Sequence, residues 1–229
     1  MTFKLNHLAI IMDGNARWAN KHNKTRAQGH KQGANTAKLL LPYASKLGIK
    51  YLTLYAFSSE NWQRPANEVS ILIDLLIHYI KNEVKTFGEY QIKLNVIGDL
   101  SKLSPNLQKK IIQAVESTKN HSKMTVTIAF SYGGRNEIVN ACQQAIDSGV
   151  KTVTEASFQK FLYDPDMPDV DLLIRTSGVH RISNFLLWQA AYAELYFTDR
   201  LWPDFNEDDL KAALEDYSQR KRNFGGRNE

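Results

Sequence analysis

The residues best suited to chemistry lie in short clusters, each directly after an apolar run. Asp13-Gly14-Asn15-Ala16-Arg17-Trp18 follows Leu8 to Met12, and Ser58-Ser59-Glu60-Asn61-Trp62-Gln63-Arg64-Pro65 follows a second run. Tyr132-Gly133-Gly134-Arg135 closes a later one. Arg175-Thr176-Ser177-Gly178 and His180-Arg181-Ile182-Ser183-Asn184 close the last long one. Arginine forks suit phosphate because they donate two parallel hydrogen bonds. An apolar strand ending in Asp and then Gly-Asn can bring backbone amides close to an anion. Asp13 at that same point is compatible with phosphate only through a bridging cation, which implies Mg²⁺. Asp-Gly alone is also an ordinary turn. No Gly-Lys-Ser/Thr phosphate loop and no G-x-G-x-x-G occurs, so ATP and NAD binding are unsupported. The chemistry these residues point to is a Mg²⁺-assisted, arginine-rich site for more than one phosphate group.

Other reactive side chains have plainer readings. His7 reads as a core or edge histidine and His30 as a helix-start histidine. Trp62 and Trp188 fit a core as well as a substrate platform. Glu194 can pair with a surface base, and Asp208-Asp209 reads as first-turn helix acid. Cys142 lies in a helical stretch and is expected to be buried and inert. No Ser-His-Asp order motivates acyl transfer.

The elements that must position these clusters alternate. The sequence predicts strands at 5–12, 49–57, 91–98, 124–131 and 170–176, with a short sixth at 194–197. Helices are predicted at 30–48, with Pro42 a kink site, and at 67–87, 105–119, 135–147, 154–162 and 206–222. The 67–87 helix is read from Val69, Leu72, Ile73, Leu76, Ile80 and Val84. Such alternation means βαβ units: an α/β single domain over 1–229, with a central, mainly parallel six-stranded sheet flanked by helices. Ligands gather at the carboxyl ends of such strands, where the clusters lie.

Composition agrees. The chain has 229 residues, with 43% hydrophobic and 23% charged residues, ordinary for a globule and unlike a disordered or disulfide-rich chain. One cysteine excludes an internal disulfide. No apolar run approaches the roughly 20 residues of a spanning helix, and the first residues lack a signal-peptide pattern. A cytoplasmic location is expected. The net charge of +5 is concentrated: residues 14 to 59 hold eight cations and no Asp or Glu. Lys38, Lys46 and Lys50 read as a solvated face, and the rest suit an anion site. Elsewhere acids outnumber bases by three, and no nucleic-acid motif is present, so nucleic acid is not an expected partner.

HLAIIMDGNARWA, Gly29-His30, LYAFSSENWQRP, YGGR and IRTSGVHRISNFLLWQAAYAELYFTDRLWPDF together resemble undecaprenyl diphosphate synthase, the bacterial cis-prenyltransferase family, from about residue 6 to 226. The resemblance implies condensation of farnesyl diphosphate with successive isopentenyl diphosphates, with Mg²⁺, by a homodimer. The product is the undecaprenyl lipid that carries cell-wall sugars. An apolar tunnel and transient peripheral membrane contact through the lipid product go with it. Residue by residue, it implies that Asp13 organises Mg²⁺ and the diphosphates. Gly14, Asn15, Ala16, Arg17 and Trp18 surround the allylic diphosphate, with Arg26 and His30. Ser58, Ser59, Glu60, Asn61, Trp62 and Arg64 lie where the substrates meet, and Asn61 assists proton removal. Arg175, Arg181, Ile182 and Ser183 hold isopentenyl diphosphate, and His180 and Glu194 are metal or neighbouring residues near the dimer interface. Three positions depart from the family pattern: Ala16 stands for Gly, Val179 for an acid, and Asn223 for Arg. Asp13→Ala is expected to abolish turnover and leave thermal unfolding nearly unchanged. A catalytically weak partner subunit is the alternative, favoured only by the three departures.

Overall fold

The computed structural model describes residues 5–222, and within them the side chains of residues 80–85 are not described. Ile80, Val84 and Asn223 therefore lie outside the described features. Six strands form one all-parallel sheet in the order β3-β4-β2-β1-β5-β6. They are β1 (His7–Ile11), β2 (Tyr51–Ser58), β3 (Ile92–Ile97), β4 (Met124–Tyr132), β5 (Leu172–Arg175) and β6 (Glu194–Phe197). The α-helices are α1 (Asn15–Lys21), α2 (Arg26–Lys46), α3 (Ala66–Glu89), α4 (Pro105–Ser117), α5 (Gly134–Asp147), α6 (Glu155–Phe158) and α7 (Glu207–Gln219).

Both sheet faces are buried, which is why the strands read as near-continuous apolar runs. Leu8, Ile10, Leu52, Leu54, Val126, Ile128, Leu172 and Ile174 join the core under α2, α3, α4 and α7. Ala9, Ile11, Ala129 and Leu173 alternate onto the opposite face, against Met167, Phe185 and Leu186. Helix α5 lies apart from the first core, packing Ala141 with Phe158 and Leu162.

The departures from expectation are local. The sequence predicts no helix at α1, but Gly14 at φ 112° stands at its N-cap and Asn15–Lys21 winds as helix, burying Trp18 and Ala19. α2 starts at Arg26 rather than residue 30, because Thr25 and Gln28 form a reciprocal capping box. Pro42 sits inside that helix. The last helix stops at Gln219. Arg220 lies just beyond it and turns back to Glu194 Oε2 at 2.9 Å. Cys142 is exposed rather than buried, on the outer side of α5. Where a tunnel was expected there is an apolar cavity of about 110 Å³.

Close packing of α1 on α2 fixes the Asp13 loop. A Cβ on Gly29 would strike the Asn15 carbonyl, and one on Gly33 would strike the Asn15 side chain and approach Trp202 Cδ1 at 2.8 Å. Trp202 also donates its indole N–H to the Gly33 carbonyl at 2.8 Å. Gly33→Ala is expected to cost about 1–3 kcal/mol, the range for overpacking. Chemical denaturation checks it, and an unchanged midpoint would mean that the contact relaxes freely.

Candidate active site

The chemical clusters converge at the carboxyl ends of β1, β2 and β5, around a polar cleft of about 620 Å³. Asp13 stands two residues beyond β1. Its backbone N–H donates to Thr176 Oγ1 at 3.0 Å, and the Thr176 hydroxyl donates to the Asp13 carbonyl at 2.7 Å. The loop after β1 is thus tied to the end of β5. Arg175 Nη2 donates to Asp13 Oδ2 at 2.9 Å, while Arg17 lies 3.6 Å from Oδ1. Burial pushes the Asp13 carboxyl up. Hydrogen bonds from Arg175 and Ser177, with the charges of Arg175 and Arg17, outweigh burial and hold it below the ordinary carboxylate range. Asp13 is therefore ionised.

Arg175 is nearly enclosed, its side chain 5% exposed. Its Nη1 donates to the Arg181 carbonyl and to Ser183 Oγ, both at 2.6 Å, and its Nε has no partner. The guanidinium organises the cleft wall as much as it faces the cleft. Arg181 is exposed at the rim, and among the described residues no acid pairs with it. Arg17 is held differently, donating from Nη1 to the Ser177 carbonyl at 2.8 Å and from Nη2 to the Ser177 hydroxyl. Ser177 adopts φ 81° to make this turn.

The first N–H groups of α1 have no intrahelical acceptor, and Gly14, Asn15 and Ala16 line the cleft. Ala16 is absent from the residues with positive φ, so its methyl is accommodated without strain. The Ser58–Arg64 segment lines the other side through Ser58, Glu60, Asn61 and Arg64. Asn61 Oδ1 accepts from the Ser58 N–H at 3.2 Å, and Glu60 Oε1 accepts from Asn184 at 2.8 Å.

One residue that the sequence reading missed is Glu68. It is buried on α3 and accepts from Arg26 at 2.9 Å and Arg64 at 2.8 Å, with His30 Nε2 at 3.8 Å. It joins α2, α3 and the Ser58–Arg64 segment at the cleft wall. Burial pushes the Glu68 carboxyl up, but the two arginines bring it below its ordinary value. In sequence Glu68 looks like a first-turn helix acid, and only the fold brings its partners to it. Asn184, whose side chain also accepts from the Arg135 N–H at 2.9 Å, was noticed in its loop but given no role.

His30 lines the cleft and is held neutral, chiefly by burial and despite Glu68. His7 is fully buried away from the cleft, bonded to the Pro168 carbonyl and Thr53 Oγ1, both at 2.8 Å. Burial lowers its pKa too. A buried neutral imidazole contributes stability that is present above the unfolded pKa and lost as pH falls below it. The thermal midpoint should therefore drop as pH is lowered below about 6.5, with the His7 and His30 ring resonances titrating below that value. Ring signals that titrate at the free-histidine value would contradict this.

Several named residues lie elsewhere. Trp18 turns from the cleft, donating its indole N–H to Asp204 at 2.6 Å and stacking on His22. Trp62 packs edge-on against Phe57 and donates to Ser131 Oγ at 2.9 Å. Arg26 reaches the site only through Glu68. Ser59 packs against Gly133, and Ile182 packs on the second core cluster. Asp208 and Asp209 are first-turn acids of α7 as expected, behind the Asn206 N-cap, to whose N–H Asp209 returns a hydrogen bond. His180 is exposed and stacks on Phe197. Glu194 pairs with Arg220 and stands level with Leu172 and Leu8, at the amino end of the sheet. One chain thus does not bring His180, Glu194 and Asp13 into a single ligand set. Among the described residues no group of three His, Cys, Asp or Glu forms a metal cage.

The polar cleft shares Met12, Asn15, His30, Tyr55, Ala56 and Leu72 with the 110 Å³ apolar cavity, which continues to Leu54, Leu76 and Ile128 between the sheet and helices α2 and α3. The site therefore has an arginine-rich end and an apolar end in direct continuity, the arrangement an amphiphile with an anionic head requires.

The chain is similar to known proteins over nearly its whole length. A family model described as putative undecaprenyl diphosphate synthase matches residues 11–225. The isoprenyl transferase of Rickettsia typhi (strain ATCC VR-144 / Wilmington) is 59% identical over 223 residues, 97% of this chain and 99% of the relative. Lavandulyl diphosphate synthase from Lavandula x intermedia, solved in complex with dimethylallyl diphosphate, superposes with a TM-score of 0.92 at 38% identity, covering 96% of this chain and 98% of that one. A probable undecaprenyl diphosphate synthase from Campylobacter jejuni gives a TM-score of 0.83 at 35% identity, covering 97% and 99%.

Proposed function

The chain belongs to the undecaprenyl diphosphate synthase family and is a prenyl transferase, and on that premise we propose that it condenses farnesyl diphosphate with successive isopentenyl diphosphates to undecaprenyl diphosphate, the lipid carrier for cell-wall glycans. The observation that carries this reading is the continuity of the arginine-rich cleft with the apolar cavity. The dimethylallyl diphosphate bound to the lavender relative supports an allylic diphosphate as one substrate.

The proposed roles are these. The amides at Gly14–Ala16, with Arg17 and His30, receive the allylic diphosphate, its prenyl tail entering the cavity beside Leu54 and Ile128. Arg181 and Ser183 receive isopentenyl diphosphate, and Arg175 braces both Ser183 and Asp13. Leaving-group charge is stabilised by donors already fixed in place, which is electrostatic catalysis. Apolar walls keep water from the cationic carbon. Asn61, which lines the cleft, assists proton removal from the condensing alkene in this reading.

The donor set fits Mg²⁺, which takes one or two carboxylates and completes its shell with water and substrate phosphates. Asp13 Oδ1 would hold it, and the ion would supply charge neutralisation at the diphosphates. A homodimer belongs to this reading, with His180 and Glu194 near its interface as metal or neighbouring residues. A cytoplasmic enzyme with transient peripheral membrane contact completes the reading. No helix of the described residues is long and apolar enough to cross a membrane.

The test is incubation with farnesyl diphosphate, radiolabelled isopentenyl diphosphate and Mg²⁺, followed by product-length analysis. A long polyprenyl diphosphate, lost with EDTA and regained with Mg²⁺, is expected. No condensation by folded protein would overturn the reading and favour a weak partner subunit.

A further inference from the structure

The apolar cavity has a neighbour that the catalytic reading does not use. A second cleft of about 500 Å³ lies between α2 and α3 and shares Ala34, Leu75 and Tyr79 with the cavity. Those three residues border both spaces. The cavity alone, at about 110 Å³, is far smaller than a long polyprenyl chain.

The surface around this cleft has a distinct character. Lys31, Asn35, Lys38, Pro42 and Lys46 recur every three or four residues along α2, so they share one stripe. All but Pro42 are exposed, and Leu39 beside them is 70% exposed. The lysine stripe spans roughly 22 Å at the helical rise. α2 contains no acid, and on the α3 side the cleft is bordered by Asp74 and His78. A lysine stripe with a protruding leucine, next to an opening into apolar space, matches an anionic bilayer in both charge and polarity. It matches nucleic acid less well, because no aromatic residue stands on the stripe to stack on bases and Leu39 would lie against a charged backbone.

We infer that the outer face of α2 docks on an anionic lipid bilayer, with the α2–α3 cleft turned toward the lipid. The inference rests on the proposed lipid product for its purpose, but not for its test. Docked this way, the growing chain can leave the cavity past Ala34, Leu75 and Tyr79 without crossing water.

The whole protein is sedimented with vesicles of phosphatidylglycerol and phosphatidylcholine, and separately of phosphatidylcholine alone. Binding only to the anionic vesicles is expected, weakening as salt shortens the screening length. Lys31→Ala and Lys46→Ala should each weaken it about fivefold, as expected for one lysine near such a surface. Leu39→Asn should weaken it further with both lysines in place. These positions are exposed, and circular dichroism checks the fold of each variant.

Orientation is read from a polarity-sensitive dye. Attached at Asn35→Cys, in a chain that also carries Cys142→Ser, it should shift to the blue when vesicles are added. On the native Cys142, across the sheet, it should not. No binding to anionic vesicles, binding insensitive to the lysine changes, a shift at Cys142 instead, or preference for duplex DNA over vesicles would each overturn the inference. Vesicle binding needs no substrate, so its failure is separable from a failure of prenyl transfer.

Discussion

Asp13→Asn is expected to lower turnover about 10²–10³-fold, the effect of deleting one preorganised electrostatic group at a reacting centre, while the protein stays folded. The amide keeps an oxygen for Arg175 and keeps the side chain's shape, but removes the negative charge that a metal would need. Asp13→Ala behaves differently, and here the structure corrects the expectation of unchanged unfolding. It would leave the Arg175 guanidinium, only 5% exposed, without its carboxylate partner. Losing one partner of a fully buried pair typically costs 3–5 kcal/mol. Asp13 is itself 32% exposed, so about 2 kcal/mol is the appropriate scale once solvent screening is counted. Steady-state kinetics with thermal melts of both variants separates the effects. Wild-type turnover in Asp13→Asn would remove Asp13 from the chemistry.

Arg175→Lys should be nearly as damaging, although it conserves charge. The arginine fork reaches Asp13 Oδ2 with one nitrogen and Ser183 Oγ and the Arg181 carbonyl with the other. A lysine ammonium is a point charge and cannot span those acceptors in one plane. The expected loss is on the order of 10²-fold in kcat/KM for isopentenyl diphosphate, with a larger rise in KM for that substrate than for the allylic one. Equal changes in both KM values would show that Arg175 supports the whole cleft rather than the Ser183 side.

Much of this was legible in the sequence because parallel strands buried on both faces leave continuous apolar runs, and all six strands lie where those runs lie. The polar clusters were legible for a related reason: a doubly covered sheet leaves its carboxyl ends for chemistry. What was not legible depends on tertiary meeting. Glu68 gains meaning only because Arg26 arrives from 42 residues away. Trp18 follows the Asp13 loop directly, yet the helical turn of α1 points it at Asp204 instead. Glu194 reads in sequence as able to pair with a surface base, and it does pair with Arg220, but only strand register shows that it stands at the amino end of the sheet. Cys142 fits a helical pattern whose outward side only the packing of α5 reveals.

The most direct test of the account is a crystal structure of the protein with a non-hydrolysable allylic diphosphate analogue and Mg²⁺. The account predicts the diphosphate over the Gly14–Ala16 amides, the metal on Asp13, and the prenyl tail in the cavity beside Leu54 and Ile128. A diphosphate bound away from Asp13, or a tail lying outside that cavity, would contradict it.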